Sequence, residues 1–384
     1  MAAETDVQGS CDLRFEAVRD CFRSNFQAGQ EVGASLAVMV GGEQVVDLWG
    51  GWTDAALSRP WQADTLVNVF STTKVVTALC VLLLADRKQV DVDRPLADYW
   101  PEFGRAGKEG VRVRHVLSHT AGLPGFSEKV PIEALYDWER IIHLLEAEKL
   151  WWKPGTKLGY HPLTYGYLLG ELVRRVTGKT IGTFFRDEIA GPLEIDFHIG
   201  LPQSEDGRAA EIVPMQQKIG APQLLLARLL FPSAMKLAAN PVLANEAINT
   251  RAWRAAEIPA GNGQGNARSL VRIGAILAGG GCLGGQQVLS RAMVEKAIAV
   301  QAQGRDPHAF NRPSAWGLGV LLLNKDLLLG PRSFYATGLG GSVLVMDLEK
   351  NVSIAYTMNK MAELSEGDSR SIPLVHAVWE CMSN

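Results

Sequence analysis

The sequence lacks an apolar run long enough to cross a membrane as a helix. No such stretch reaches the length of roughly 18 residues that a transmembrane helix needs. Residues 1–7 are polar and acidic, without the basic start and apolar core of a secretory signal. We therefore expect no membrane span and a cytoplasmic location.

The sequence also lacks a strong excess of charge of either sign. Its 384 residues carry a formal net charge of −3, and the Lys and Arg residues are scattered rather than clustered. This leaves no basic footprint for nucleic acid and no polybasic segment for an anionic membrane. A hydrophobic share of 47% and a charged share of 21% are ordinary for a globular protein of one large or two closely joined domains.

Cysteines are too few and too dispersed for a disulfide framework. The five cysteines are an odd number, spread along the chain at Cys11, Cys21, Cys80, Cys282 and Cys381. In a chain of this length that distribution indicates reduced thiols, as in a cytosolic protein.

Several catalytic motifs are absent or incomplete. No G-x-S-x-G is present, so the nucleophile elbow of an α/β-hydrolase is not supported. His115 and His119 have the spacing of a zinc-protease helix, but Val116 stands where the general base would be, so we expect capping or buried hydrogen bonds for both histidines. The stretch 279–284 fits G-x-G-x-x-G but follows a predicted helix, which disfavours dinucleotide binding. We expect neither a metal nor a cofactor.

Strand patterns are present at both ends of the chain, with helical patterns between them. Apolar spacing predicts a helix from Leu13 to about Gln30, a helix at 165–177 stopped by Gly178, a helix at 267–277 and a last helix at 373–382. Strands are predicted at 34–40, 44–49, 316–323, 333–338, 341–347 and 352–359, and residues 261–266 as a loop.

This order predicts an α/β fold of the α+β type. Residues 1–85 and 258–384 are expected to form a domain with an antiparallel sheet flanked by helices. Residues 86–257 are expected to form an inserted, mostly helical domain. Within it the segment at about 205–257 reads as a helical excursion or lid, since residues 223–231 are amphipathic and Pro232 follows them.

The most informative pair in the sequence is Ser71 and Lys74. Residues three apart share one face of a helix, so the Lys amine can take the proton of the Ser hydroxyl. Alone, S-x-x-K also fits a helix cap beside a solvated Lys. The following residues, 75–85, are apolar on nearly every face, which indicates a buried helix. Burial lowers the pKa of a Lys and so suits it to act as a base.

Two further stretches belong with this pair. Tyr160 follows a Pro-Gly turn and precedes a helix, which by itself favours a packing role; beside Ser71 and Lys74 it becomes a candidate second base. The stretch Ala336-Thr337-Gly338 ends a predicted strand in small residues, where a backbone N–H group can stabilise an oxyanion.

The chain resembles the serine β-lactamase and penicillin-binding-protein superfamily in the order of three motifs: Ser71-Thr72-Thr73-Lys74, Tyr160 and Ala336-Thr337-Gly338. The likeness is greatest to its class C-like branch, and within it to the family VIII carboxylesterases. Residues 115–124, Pro154-Gly155-Thr156 and Trp316-Gly317-Leu318-Gly319 support it, and the likeness runs from about residue 30 to about residue 360.

The resemblance implies a role for each matched residue. Ser71 is the nucleophile, Lys74 and Tyr160 are the bases, and the N–H groups of Ser71 and Leu339 form the oxyanion hole. It leaves open which of the two bases takes the proton. As pocket residues it implies Trp316, Gly317, Ala336, Thr337 and Gly338.

The sequence departs from the β-lactamase pattern at two positions. Pro162 stands where Tyr-x-Asn has its Asn, and Ala336 stands where the strand motif has Lys or His. A site without those groups loses the charge-assisted bonds that hold an acidic β-lactam.

These departures favour a carboxylesterase acting on small or medium esters. A β-lactamase or D-aminopeptidase-type hydrolase, an acyltransferase and a binding module of the same fold remain as alternatives. The sequence gives no indication of the oligomeric state.

Overall fold

The structure is a computed structural model that describes residues 6–214, 221–243, 245–327, 330–362 and 368–383. Its α-helices are α1 Glu16–Gln27, α2 Thr73–Asp86, α3 Val113–Leu117, α4 Trp138–Ala147, α5 Thr164–Thr177, α6 Ile181–Phe185, α7 Ala221–Leu230, α8 Pro232–Ala238, α9 Asn245–Ile248, α10 Arg251–Ala255, α11 Ala267–Ala278, α12 Arg291–Ile298 and α13 Ser371–Ser383. Its strands are β1 Gln8–Cys11, β2 Gly33–Val40, β3 Glu43–Gly51, β4 Val67–Asn68, β5 Gln264–Gly265, β6 Cys282–Leu283, β7 Gln286–Gln287, β8 Ala302–Asp306, β9 Arg312–Trp316, β10 Ser333–Thr337, β11 Val343–Asp347 and β12 Val352–Met358.

A six-stranded antiparallel sheet combines the two ends of the chain. Its order is β1-β3-β2-β12-β11-β10. Strands β2 and β3 form a hairpin closed by Gly41 and Gly42, which both have positive φ. Strand β12 lies beside β2, with Ala355 opposite Ala37. The predicted antiparallel sheet flanked by helices is confirmed.

Alternate residues of the sheet face two different hydrophobic clusters, as the period of two in a strand requires. Leu36 and Val38 of β2 pack in a cluster with residues of α1 and α13. Ala37 and Met39 point to the other face, into the larger cluster that contains α11 and α2. The sheet is therefore covered by helices on both faces, and the Ser71 segment lies on the α11 side.

Helix α2 is buried along almost its whole length. Every residue from Thr73 to Leu84 is buried, so the apolar run after Ser71 forms the central helix that the sequence predicts. Leu79 of α2 and Leu168 of α5 belong to the same cluster. Because this cluster crosses the predicted boundary at residue 86, the division into two domains remains a prediction.

The predicted strand at 316–323 is wrong. The strand ends at Trp316, and the chain then turns, with the Gly317 N–H group donating to the Val320 carbonyl at 2.9 Å. Gly319 has a φ of +89°, and a Cβ on Gly317 would lie 2.1 Å from the Ala297 carbonyl oxygen. The left-handed φ of Gly319 is incompatible with a continuous strand, although Leu321 still exchanges two hydrogen bonds with Tyr335 of β10.

The other differences from the prediction are short strands. Strands β1 and β8 were not predicted from the sequence, and the predicted loop at 261–266 contains β5, which pairs with β4. The helices predicted at 165–177 and 267–277 are confirmed as α5 and α11, and Gly178 ends α5 with a φ of +72°.

The predicted lid segment is helical where it is described. Helices α7 and α8 follow each other with a break at Phe231, and residues 215–220 and 244 of the segment lie outside the described residues. The exposed large apolar side chains of α7 are Leu225, Leu226, Leu229 and Leu230. Among the described residues, no helix is both long enough and apolar enough to cross a membrane.

Candidate active site

Ser71 lies on a single 3-10 turn, Phe70–Thr72, that leads directly into α2. Phe70 has a φ of +46°, a left-handed conformation that a bulky residue adopts only under constraint. Ser71 is partly exposed whereas Phe70 and Thr72 are buried. The turn therefore presents the Ser71 hydroxyl at the surface of a packed core, at the N-terminal end of α2, where the helix dipole favours negative charge.

Lys74 is buried one turn further along and reaches back to Ser71. Its Nζ donates to the Pro162 carbonyl at 2.8 Å and to the Ala260 carbonyl at 2.7 Å, and it lies at hydrogen-bond distance from Ser71 Oγ, at 3.1 Å. Burial holds the pKa of Lys74 well below its ordinary value. A lowered pKa provides the neutral amine that can accept a proton from Ser71.

Tyr160 completes a cluster of three side chains around one oxygen atom. Its hydroxyl donates to Ser71 Oγ at 2.8 Å, and Lys74 Nζ lies 4.9 Å from the centre of its ring. The structure thus brings Ser71, Lys74 and Tyr160 together, with both candidate bases in hydrogen-bond distance of the nucleophile. Their catalytic roles remain predictions.

The backbone on both sides of Tyr160 is held by buried polar groups. The Gly159 N–H group donates to the His119 carbonyl at 3.0 Å, and the His161 N–H group donates to His119 Nδ1 at 3.1 Å. The Tyr160 N–H group donates to the Asp306 carboxylate, at 2.9 Å to Oδ2. Three successive N–H groups therefore fix the position from which Tyr160 reaches Ser71.

The hydrogen bonds of the two histidines determine their tautomers. His161 Nδ1 donates to the Gly159 carbonyl at 2.7 Å, while its Nε2 accepts from the Leu123 N–H group at 3.1 Å. Burial lowers the pKa of His161 to about 3 and also lowers the pKa of His119. Both imidazoles are therefore neutral parts of the scaffold, which confirms the predicted buried hydrogen bonding of His119.

The other histidine of the incomplete zinc motif has a capping role. His115 Nδ1 accepts from the Arg112 N–H group at 3.1 Å at the start of α3. Helix α3 ends at Leu117, and His119 follows it with a φ of +59°, so the two histidines do not share a helix face. Among the described residues, no group of His, Cys, Asp and Glu side chains is arranged to hold a metal ion.

Of the predicted pocket residues, Trp316 lies against the candidate base. Its ring is nearly parallel to that of Tyr160, at an interplanar angle of 22° and a centroid distance of 6.0 Å, and its edge meets His119. Gly317 instead packs against the Ala297 carbonyl, on the side of α12. Trp316 therefore orients the Tyr160 ring, and Gly317 has a role in the turn.

The end of β10 lies directly against the turn that carries Ser71. A Cβ on Gly338 would lie 2.1 Å from the Val69 carbonyl oxygen, so a larger residue would separate the strand from this turn. Ser342 Oγ donates to that same carbonyl at 2.8 Å and lies 3.0 Å from Thr72 Oγ1. The residues on both sides of Ser71 are thereby fastened to the turn 338–342, which carries Leu339.

Ala336 and Thr337 are both buried at the end of β10. Ala336 pairs with Leu344 across the sheet, and its methyl group belongs to the larger hydrophobic cluster. The position that holds Lys or His in related strand motifs is thus apolar here. Pro162, at the other departure, contributes its backbone carbonyl to Lys74.

The sequence analysis missed Asp306 and did not assign a role to His161. His161 is adjacent to Tyr160, so its position could have suggested a contact with the site. Asp306 gives no local signal, because it lies 146 residues from Tyr160 and is the last residue of the unpredicted strand β8.

Comparisons with known proteins agree on one family. The family model described as Beta-lactamase matches residues 18–377. Over 366 residues, the chain is 36% identical to "Esterase/beta-lactamase LipL" of Mycobacterium tuberculosis, covering 92% of this chain and 83% of that protein.

Two solved structures are similar over almost the whole chain. A family VIII carboxylesterase superposes with a TM-score of 0.88 at 40% identity, covering 98% of this chain and 100% of the other. A penicillin-binding protein homologue from Caulobacter crescentus superposes with a TM-score of 0.87 at 38% identity, with the same coverage.

Proposed function

The chain belongs to the beta-lactamase family and is a serine ester hydrolase, and we propose that it cleaves small to medium carboxylic esters through an acyl-enzyme on Ser71. The observation that carries this proposal is that Ser71 Oγ lies 3.1 Å from Lys74 Nζ and 2.8 Å from Tyr160 Oη. A hydroxyl between a buried amine whose pKa is lowered and a phenol has the proton acceptor that a serine nucleophile requires.

The reaction follows from the positions of these groups. Ser71 Oγ attacks the ester carbonyl carbon, and its proton passes to the Lys74–Tyr160 pair. The oxyanion accepts hydrogen bonds from the Ser71 and Leu339 N–H groups. The tetrahedral intermediate collapses as the C–O bond breaks and the pair returns the proton to the leaving alcohol. Water, deprotonated by the same pair, then attacks the acyl-enzyme and releases the acid and Ser71.

Esters are favoured over β-lactams because the groups that hold an acidic amide substrate are replaced. Ala336 brings a methyl group and Pro162 a backbone carbonyl where the β-lactamase pattern has a cation and an amide. The name of the relative LipL covers both activities, which keeps β-lactam hydrolysis as the second candidate. Nitrocefin and penicillins turned over as fast as simple esters would reverse the order of the two.

The exposed apolar side chains of α7 suit a hydrophobic acyl or alcohol portion. Phe231, between α7 and α8, meets the ring of Phe310 edge to face with centroids 5.4 Å apart. Phe310 follows Asp306 by four residues, and Asp306 binds the Tyr160 N–H group. The Phe231–Phe310 contact therefore joins the α7–α8 segment to the residues that follow Asp306, whose carboxylate binds the Tyr160 N–H group.

The proposed location is the cytoplasm, or another reducing compartment. All five cysteines are free thiols in the structure, and disulfides are rare where glutathione and thioredoxin keep thiols reduced.

The first experiment compares the wild-type protein with Ser71→Ala on p-nitrophenyl acetate, butyrate and octanoate. We expect steady nitrophenol release that is lost in Ser71→Ala, with the butyrate and octanoate preferred over the acetate. Release that persists in Ser71→Ala would reject the acyl-enzyme on Ser71. A stoichiometric burst without turnover would instead indicate a binding module.

A further inference from the structure

A buried guanidinium lies behind the turn that carries Leu339. The Arg370 side chain is only 4% exposed, and its Nη2 donates to the Gly340 carbonyl at 2.7 Å. The Gly340 carbonyl also accepts from the Ala362 N–H group at 3.0 Å. Gly340 directly follows Leu339, so the Gly340–Gly341 peptide, two peptides along from the one that carries the Leu339 N–H group, is held from the interior of the protein.

All five N–H donors of Arg370 have an acceptor, which is the full capacity of a guanidinium. Besides Gly340, Nη1 donates to the Lys360 carbonyl at 2.8 Å and to Glu31 Oε2 at 3.3 Å. Nε and Nη2 both donate to Asp368 Oδ2, at 3.0 and 2.6 Å. The guanidinium of Arg370 therefore has one orientation in which every N–H donor makes a hydrogen bond.

Two carboxylates and a phenol keep this orientation. Glu31 is fully buried and accepts from the Tyr356 hydroxyl through its other oxygen. Asp368 Oδ1 accepts from the Ser371 N–H group at 3.1 Å, at the start of α13. The guanidinium is thus anchored to β12, to α13 and to the residues before β2, all of which are fixed parts of the fold.

The glycines of the turn show how closely it is seated on Arg370. A Cβ on Gly341 would lie 2.5 Å from Arg370 Nη2 and 2.7 Å from Asp368 Oδ2. On the opposite side, a Cβ on Gly338 would lie 2.1 Å from the Val69 carbonyl oxygen. The turn 338–342 is therefore enclosed between Arg370 and the Ser71 turn, while the Leu339 side chain at its tip is 43% exposed.

We propose that Arg370 is a positioning residue for the reaction: by holding the Gly340 carbonyl it fixes the Leu339 N–H group at the distance from Ser71 that oxyanion binding needs. This inference rests on the oxyanion role proposed above for Leu339. Arg370 does not touch the substrate, and Glu31 and Asp368 act only by orienting it. An oxyanion donor displaced by about 1 Å loses much of its effect on the rate, because the stabilisation depends on a preorganised geometry.

The test compares Arg370→Lys with the matched control Arg175→Lys. Arg175 likewise pairs with two carboxylates, the buried one of Glu171 and the exposed one of Glu102, but it lies on α5 away from the turn. For Arg370→Lys we expect kcat on p-nitrophenyl butyrate to fall by about 10- to 100-fold with little change in KM. For Arg175→Lys we expect an unchanged kcat per folded molecule.

Two further readouts separate positioning from general destabilisation. Phenylboronic acid adds to a serine as a tetrahedral anion, so its affinity for Arg370→Lys should fall by the same factor as kcat. Amide hydrogen exchange of a peptide covering 338–342 should accelerate, whereas that of strand β12 should not. Unchanged kcat, unchanged boronic acid affinity or unchanged exchange at 338–342 would each overturn the proposal.

A milder variant keeps the test decisive if Arg370→Lys does not fold. Glu31→Gln retains the oxygen that accepts from Arg370 but removes the charge, and we expect kcat and the boronic acid affinity to fall by about 3- to 10-fold and exchange at 338–342 to accelerate. Three values equal to wild type would contradict the proposal. If the wild-type protein shows no Ser71-dependent hydrolysis, the proposed function fails, and the exchange rates of 338–342 still decide whether Arg370 holds the turn.

Discussion

Among the described residues two lysines are buried, Lys74 and Lys108, and their surroundings differ. Lys74 donates to the Pro162 and Ala260 carbonyls, and Lys108 donates to the Glu146 and Glu148 carbonyls, all at 2.7–2.8 Å. Each lysine Nζ also lies near an aromatic ring, that of Tyr160 at 4.9 Å and that of Phe103 at 5.3 Å. By burial and carbonyl contacts alone, the two sites are alike.

The two lysines differ in what their Nζ contacts besides the two carbonyls and in the charges nearby. Burial lowers the pKa of Lys108, but the carboxylates of Glu148, Glu109 and Glu146 oppose that shift. Burial lowers the pKa of Lys74 without such opposition, and its remaining contact is the Ser71 hydroxyl. Burial by itself therefore does not make a base; a lysine becomes one when no acid compensates its charge and a proton donor lies beside it.

The largest effect should come from removing the amine of Lys74. For Lys74→Met we expect kcat/KM to fall by about 10³-fold, because Ser71 loses a proton acceptor while a side chain of similar length fills the space. Rates on p-nitrophenyl butyrate, with circular dichroism to confirm folding, provide the measurement. A folded variant with near wild-type rates would remove the distinction between the two lysines.

The second-largest effect should come from removing the hydroxyl of Tyr160, the other candidate base beside Ser71. For Tyr160→Phe we expect a loss of about 10²-fold in kcat/KM, since the ring still packs on Trp316 but its hydroxyl no longer reaches Ser71. Tyr167→Phe is the matched control, because the Tyr167 hydroxyl donates to the Leu135 carbonyl elsewhere in the core. Equal losses in the two variants would argue against a catalytic hydroxyl at Tyr160.

The pH profile should show which lysine titrates in the reaction. Protonated Lys74 cannot accept the Ser71 proton, so kcat/KM should rise with pH, by up to tenfold per unit on the acidic limb, and level off well below about 10.4, the ordinary pKa of Lys. The midpoint belongs to the coupled Lys74–Tyr160 pair. A midpoint at the ordinary pKa of Lys would contradict the lowered value.

The same shift has a consequence for stability, with a defined sign. Because the pKa of Lys74 is lower in the folded state than in the unfolded state, its contribution to the free energy of unfolding is present at high pH and is lost as pH falls through the folded-state pKa. Urea unfolding of wild type and Lys74→Met at several pH values measures this component, which should be absent from the variant.

The smallest effect on activity is expected at Lys108. For Lys108→Met the two carbonyls at the end of α4 lose their donor, which should lower the free energy of unfolding by about 2 kcal/mol. The kcat of the folded fraction should stay at the wild-type value. A loss of kcat comparable to that of Lys74→Met would show that the comparison misassigns the functional lysine.

Much of the fold could be predicted because the relevant patterns are local. The Gly41-Gly42 hairpin, the buried helix after Ser71 and the β11–β12 pair each follow from periodicity and turn residues. The strand predicted at 316–323 failed because the glycines at 317 and 319 respond to contacts with distant parts of the chain. The periodicity of apolar residues indicates which face of a strand is buried, but it does not indicate where distant segments of the chain come into contact.

The candidate site, like the fold, has a part that the sequence predicts and a part that it does not. The sequence by itself determined which side chains carry the chemistry, since Ser71 and Lys74 share one turn and the apolar residues after them require that turn to be buried. It also determined that Ala336 and Pro162 bring no side-chain charge or amide to the site.

Only the tertiary structure decided what holds these groups in place. Asp306 and Arg370 reach the backbone beside Tyr160 and Leu339 from remote segments, and Lys108, in the polar stretch 107–110, is buried although nothing nearby in the sequence predicts it. The physical reason is that a nucleophile and its base can be specified within one helical turn, whereas their orientation depends on hydrogen bonds between residues that only folding brings together.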